Sequence, residues 1–205
     1  MEPTVVKQMA SALGARPTGP NAGRGIGRVC LADYSNADIM ACFTHNPIVG
    51  QAITNVIGQS SPSRAHDWAV SNRGLGGDKC EAATLGWQLL HSDWPSLRTK
   101  TTRLGYALAC SIAPADIGLD FGPIRCYSWE DLNDEQYYNQ MPLDLEFSEL
   151  DPRASRLEMF AGECLLRDVR AAHAGTPNLT DEDRILPGFQ IMSPQYIEHL
   201  NYYGW

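Results

Sequence analysis

The sequence predicts a mainly α fold: one helical domain of about eight helices with at most two or three short strands. Three observations predict it. Apolar residues recur at helical spacing, most regularly at Leu97, Thr101, Leu104, Leu108 and Ile112, and again at Leu157, Phe160, Ala161, Cys164, Leu165 and Ala172. Residues that cap helices stand where such stripes begin or end. Alternation with a period of two is confined to 115–127 and 141–150.

Taken in order, residues 4–13 read as a short amphipathic helix. A Gly/Pro-rich arm follows at 14–28; its Gly23-Arg24-Gly25-Ile26-Gly27 has neither the spacing nor the preceding strand of a dinucleotide loop. Ser35 caps a helix running to about Asn46. Pro47 suits the first turn of the next helix, to about Gln59, with Ile48, Ala52, Ile53, Val56 and Ile57 on one face. A short helix spans 64–72. Asp78 and Glu81 have capping-box spacing and open a helix to about His91. The stripe from Leu97 to Ile112 ends at Pro114. Ile124-Arg125-Cys126-Tyr127 is the best strand, and Ser128 caps a helix to about Gln140. The clearest helix starts at Asp151-Pro152 and stops at Gly175, with Glu163 and Arg167 paired at i,i+4. Residues 176–192 read as a loop, and Ser193-Pro194 opens a last helix.

The 205 residues and 43% hydrophobic content suit one globular domain, 1–205. The net charge of −8 is uneven. Residues 1–125 hold 11 Lys/Arg against 9 Asp/Glu, and the acidic part, 126–205, holds 5 Arg against 15 Asp/Glu. That part repels nucleic acid and anionic membranes, which excludes direct nucleic-acid binding and leaves a basic partner or a cation as its complement. No run reaches the roughly 18 apolar residues of a membrane span. The six cysteines (30, 42, 80, 110, 126 and 164) are scattered singly among apolar residues. Met1-Glu2-Pro3-Thr4 lacks a signal-peptide pattern, so free thiols in a reducing compartment are expected.

No catalytic motif is present among metalloprotease, serine-hydrolase, P-loop or deaminase patterns. Cys80 follows a Gly-Gly turn at the start of a predicted helix, where the helix dipole lowers a thiol pKa as in papain-like and NlpC/P60-like hydrolases. Its base would come from His91, His173 or His199, and none lies in a convincing strand. The preferred reading makes Cys80 a small core residue beside Ala83 and Trp87. His66-Asp67 and Asp181-Glu182-Asp183 carry no partner pattern. The acidic stretch from Glu130 to Asp151 lacks EF-hand spacing, so Ca²⁺ is the only candidate ligand and no cofactor is expected.

Ser35-Asn36-Ala37-Asp38-Ile39-Met40-Ala41-Cys42-Phe43-Thr44-His45-Asn46-Pro47-Ile48-Val49 resembles a helix–Asn-Pro–helix stretch of the cystovirus nucleocapsid shell protein, through Ser35, Ile39, Ala41, Asn46, Pro47 and Val49. Tyr202-Tyr203-Gly204 is similar to a stretch near that protein's C-terminus. Together they cover about a tenth of the chain. The resemblance implies an all-helical viral shell subunit without enzymatic activity, assembled from copies of itself with other capsid proteins and with calcium, in the virion or the cytoplasm. It makes Asn46, Pro47, Tyr202 and Tyr203, with Trp205, the candidate interface. The first expectation is therefore a structural subunit; the alternative is a cysteine hydrolase using Cys80, so enzymatic activity stays open.

Overall fold

In a computed structural model the described residues are 7, 10, 28–32, 46–60, 69–70, 76–88, 107–127, 154–169 and 171–192. Among them the chain is built from antiparallel sheet, and the mainly α expectation is wrong. The strands are β1 (Arg28–Ala32), β2 (Ala69–Val70), β3 (Gly76–Cys80), β4 (Ala107–Ile112), β5 (Ile124–Tyr127), β6 (Ala154–Leu157), β7 (Cys164–Asp168), β8 (His173–Gly175) and β9 (Arg184–Met192). One helix, α1 (Pro47–Ser60), is complete among the described residues; Lys7 and Ala10 are also helical. A larger sheet runs β1-β3-β9-β4-β7, with β2 also on β9, and a smaller one runs β6-β5-β8.

The helix at 47–60 forms where the sequence places it. Asn46 caps it: its Oδ1 accepts from Ile48 N (3.0 Å) and Val49 N (3.2 Å), two donors that have no partner within the helix. The buried face is set by Val49 and Ile53, with Val56 beside them, whereas Ile48 is 80% exposed. This face packs on Leu108, Cys110 and Ile112 of β4 and Phe189 and Ile191 of β9. Each such side chain contributes about 1.5–3 kcal/mol by leaving water.

Four expected elements give way to strands. Residues 76–80 pair with β1 and β9 instead of capping a helix. Within 64–72, Ala69–Val70 pairs with β9. Residues 107–112 are β4, because Leu108 and Ile112, four apart, share a face in a strand as well as in a helix. The helix expected over 151–175 is three strands, β6, β7 and β8, with Gly162 at φ 86° in the turn before β7. That conformation is open to glycine and breaks any helix through it.

The region read as a loop, 176–192, contains β9, which contacts β2, β3 and β4. Pro187 and Gly188 argue against a central strand by sequence. The packing explains the glycines: a Cβ on Gly188 would lie 2.6 Å from Cys110 O, and one on Gly77 2.8 Å from Leu186 O. The three backbones approach where side chains are absent. The expected helices at 35–46, 128–140 and after Ser193, the acidic stretch from Glu130 to Asp151 and most of the 14–28 arm lie outside the described residues.

Candidate active site between the sheets

Strand periodicity sorts the side chains into two compartments. Directly opposed residues in a ladder share a face, and successive residues alternate. Leu186 of β9 and Leu165 of β7 pack against Ile117, Ile124 and Met159, which belong to the side of the smaller sheet. Their odd-or-even partners therefore also face the space between the sheets. Arg184 stands two residues before Leu186, and Arg167 two after Leu165. Asp78 is opposite Leu186. On the smaller sheet, Ile124 and Cys126 oppose Gly175 and His173. Thus His173, Arg167, Arg184 and Asp78 all project into one inter-sheet space, from four different strands.

Arg184 is the most constrained of these. It is fully buried, and its Nη2 donates to Asp78 Oδ2 across the β3–β9 ladder. Its Nε and Nη1 are buried with no hydrogen-bond partner among the described residues. A buried guanidinium with open donors carries a desolvation penalty of several kcal/mol unless an acceptor meets it. Arg184 also lines a cavity of about 200 Å³ with Ala10, Ile117, Phe121 and Asp183.

The approach to Arg184 is fixed by Asn178, which is fully buried. Its Nδ2 donates to Cys80 O (3.3 Å), Glu81 O (3.2 Å) and Glu182 O (2.8 Å). Its Oδ1 accepts from Thr180 N (3.2 Å) and Thr180 Oγ1 (2.8 Å). One side chain thereby joins the end of β3 to the turn that leads into β9.

His173 is buried at the start of β8. Its Nδ1 lies 2.9 Å from Ala171 O and 3.0 Å from Arg167 Nη1. A carbonyl only accepts and a guanidinium only donates, so one of these is a hydrogen bond in any one tautomer. With the proton on Nδ1 and given to Ala171 O, the ring's lone pair sits on Nε2, the arrangement of a metal-binding histidine. Upstream, the segment after β3 runs beside β8. Gln88 N donates to Gly175 O (3.0 Å), and Gly175 N donates to Gln88 Oε1 (2.8 Å). Gln88 is the last described residue there and precedes His91 by three.

Of the residues the sequence singles out, His173 lies in the inter-sheet space. Cys80 ends β3, fully buried, with its Sγ 3.9 Å from Glu81 O. No helix begins at Cys80, so the dipole argument for an activated thiol is lost. Asn46 and Pro47 start α1. His91, His199, Tyr202, Tyr203 and Trp205 lie outside the described residues. Sequence reading missed Arg184 and Asp78, taking the first as loop and the second as a cap. The available signal was the alternation of Arg184, Leu186 and Phe189, Ile191 across β9.

The sequence matches no protein-family model and no curated protein. Solved structures do match. HygX from Streptomyces hygroscopicus, with nickel and 2-oxoglutarate bound, aligns at TM-score 0.67 and 16% identity over 95% of this chain and 80% of its own. The non-heme monooxygenase ThoJ, in complex with nickel, aligns at 0.61 and 17% over 95% and 71%. The epimerase SnoN, in complex with Fe³⁺, alpha ketoglutarate and nogalamycin RO, aligns at 0.60 and 16% over 93% and 73%. The chain has the fold of these proteins, an antiparallel two-sheet jelly roll.

That likeness corrects the expected viral shell subunit and the cystovirus resemblance behind it. It equally replaces the cysteine hydrolase alternative. The expectation of no cofactor, with calcium the only candidate, is corrected too: HygX holds nickel and 2-oxoglutarate. Among the described residues no helix is long and apolar enough to cross a membrane.

Proposed function

We propose that this chain is a non-heme metal oxygenase that uses 2-oxoglutarate to oxidise a small organic molecule. The observation that carries the reading is Arg184: a buried guanidinium with Nε and Nη1 open, in the same inter-sheet space as His173. Buried guanidinium donors with no acceptor call for an anionic one, and a carboxylate oxygen can meet them. Arg184 fits the distal carboxylate of 2-oxoglutarate, with Asp78 holding Nη2 and so orienting the guanidinium.

The metal of such enzymes is held by two histidines and one carboxylate on one face of the ion. Among the described residues no three ligand-type side chains cluster, so two ligands must come from elsewhere. His91-Ser92-Asp93 supplies a histidine and a carboxylate two residues apart, the spacing that puts two side chains on one face of an extended segment. It follows Gln88, which is bonded to Gly175, two residues from His173. His66-Asp67 lacks that spacing. His91, Asp93 and His173 are therefore our three ligands, with Ala171 O fixing the ring of His173. When bound, metal and 2-oxoglutarate supply the activation of dioxygen. The apolar walls, Ile117, Phe121 and Leu186, keep water from the Arg184 guanidinium. SnoN is in complex with nogalamycin RO, a small organic molecule, the class of ligand this space would serve.

Calorimetric titration of the metal-free chain with Ni²⁺ and then 2-oxoglutarate tests the reading. One metal should bind, and 2-oxoglutarate should bind only after it. His173→Ala and Asp93→Ala should lose the metal. Arg184→Met should keep the metal and weaken 2-oxoglutarate roughly ten- to hundredfold, the worth of a charge-assisted contact. Unchanged 2-oxoglutarate affinity in Arg184→Met, or no binding to the metal-loaded chain, would sink the assignment.

A further inference from the structure

Cys110 and Cys164 lie on the side of the larger sheet that faces α1, away from His173 and Arg184. Cys110 is opposite Leu166 and Cys164 opposite Ile112, so the two are diagonal neighbours on the paired strands β4 and β7. Their Sγ atoms are 2.9 Å apart. A disulfide bond is about 2.05 Å long, so closing it takes under about 1 Å of movement, within the reach of side-chain torsions.

We propose that Cys110 and Cys164 are a peroxide-sensitive thiol pair that closes to a reversible disulfide joining β7 to β4. The two sulfurs are not equivalent. Cys110 is 1% exposed, and Cys164 is half-buried. The hydrogen bond shared by the two sulfurs lowers the Cys164 pKa and, with burial, pushes that of Cys110 up. Cys164 is thus both the more reachable sulfur and the one held toward thiolate, the attacking form.

The chemistry balances with a peroxide as the two-electron oxidant. The Cys164 thiolate attacks one oxygen of hydrogen peroxide: an S–O bond forms, the O–O bond breaks, and hydroxide leaves to be protonated to water. The Cys110 sulfur then attacks the sulfenic sulfur of Cys164. The S–S bond forms, the S–O bond breaks, and hydroxide leaves with the Cys110 proton as a second water. Two thiols are oxidised and one peroxide is reduced to two waters. Thiol reductants reverse the bond by exchange.

The bond would fasten β7, the strand that carries Arg167 beside His173, to its neighbour. The remaining described thiols serve as controls. Cys80 is fully buried, and Cys126 lies on the inter-sheet face of β5.

The test uses the full chain, reduced, freed of reductant and treated with hydrogen peroxide in the presence of a chelator. Non-reducing peptide mapping should find Cys110 and Cys164 in one cross-linked species, lighter by two hydrogens. Both should be lost together to iodoacetamide labelling, and dithiothreitol should restore them. In Cys110→Ser, Cys164 should instead pass on to sulfinic acid. The wild-type map stands whether or not that variant folds. Cys164 oxidised while Cys110 still labels would overturn the proposal. So would a crosslink from either to another cysteine, or no oxidation of either where a free thiol control reacts.

Discussion

The two faces of the larger sheet differ more than any two segments of the chain. Toward α1, strands β4, β7 and β9 present Leu108, Cys110, Ile112, Cys164, Leu166, Phe189 and Ile191. From β7 and β9, at positions of the opposite parity, Arg167, Leu165, Arg184 and Leu186 face the smaller sheet. The first face is uniformly apolar and gains its stability by excluding water and filling space. The second mixes aliphatic side chains with buried charge, which costs stability wherever it is not paired. The strands thus support both an ordinary core and a space able to hold a charged ligand. Destabilising the first should leave the chemistry intact, and disarming the second should leave the fold intact.

Ile112→Ala breaks that comparison from the apolar side and carries the largest expected effect. Ile112 is fully buried against α1, so the variant should lose about 2–5 kcal/mol of unfolding free energy, read from the urea midpoint. Its folded fraction should bind 2-oxoglutarate as the parent does. Arg184→Met supplies the crossover: binding falls as stated above, while the urea midpoint stays within about 1 kcal/mol of the parent because two buried donors without partners are removed and Asp78, 34% exposed, is left to water. If Ile112→Ala also lost ligand affinity while folded, the two faces would not be separable.

Asn178→Ala should fall between. It removes five hydrogen bonds from a buried junction, three of them to the carbonyls of Cys80, Glu81 and Glu182. A loss of about 2 kcal/mol is expected. Because the junction fixes the entry to β9, the variant should also weaken 2-oxoglutarate, by less than Arg184→Met does. A stability loss with unchanged affinity would mean that Arg184 is held by its ladder alone.

How much of this could be read from the sequence depends on the range of the contacts involved. The 47–60 helix was legible because its proline and its apolar spacing are local, but the Asn46 cap went unread and the expected face included Ile48, which is exposed, and not Val49, which is buried. The Ile124-Arg125-Cys126-Tyr127 strand was legible from its alternation, with Arg125 later found over the rings of Trp87 and Tyr127. The stripes at 97–112 and 151–175 misled because a spacing of four residues satisfies both a helix and a strand face. At Gly162 the breaker was there to be seen and was outweighed by the stripe. Strand β9 was hidden by Pro187 and Gly188, whose acceptability rests on Gly77 and the Cys110 carbonyl, more than 70 residues away. The candidate site was harder still. His173 was noticed only as a base for Cys80, and Arg184 and Asp78 become neighbours through the β3–β9 pairing, which no local window contains.

The smallest effect lies at the rim, where Lys79 of β3 reaches Asp183, the residue before β9. Lys79 Nζ is 2.8 Å from Asp183 Oδ2 and 3.7 Å from Glu81 Oε1. The Lys79 hydrogen bond holds the Asp183 carboxyl below the usual carboxylate range, helped by the Ala82 amide, and Asp183 in turn raises the lysine. A depressed carboxylate contributes stability above its unfolded pKa and loses it as pH falls through the folded one. A raised lysine contributes below its unfolded pKa and loses it as pH rises through the folded one. The pair is therefore whole between the two ranges and fails at either end. Asp183 is 44% exposed, so solvent screening limits the pair to about 0.2–1 kcal/mol. Lys79→Met should show that deficit in urea midpoints at neutral pH, and the gap to the parent should close as the solution is taken toward about pH 3. A deficit that persists in acid would place the contribution of Lys79 in the packing of its aliphatic stem and not in its charge.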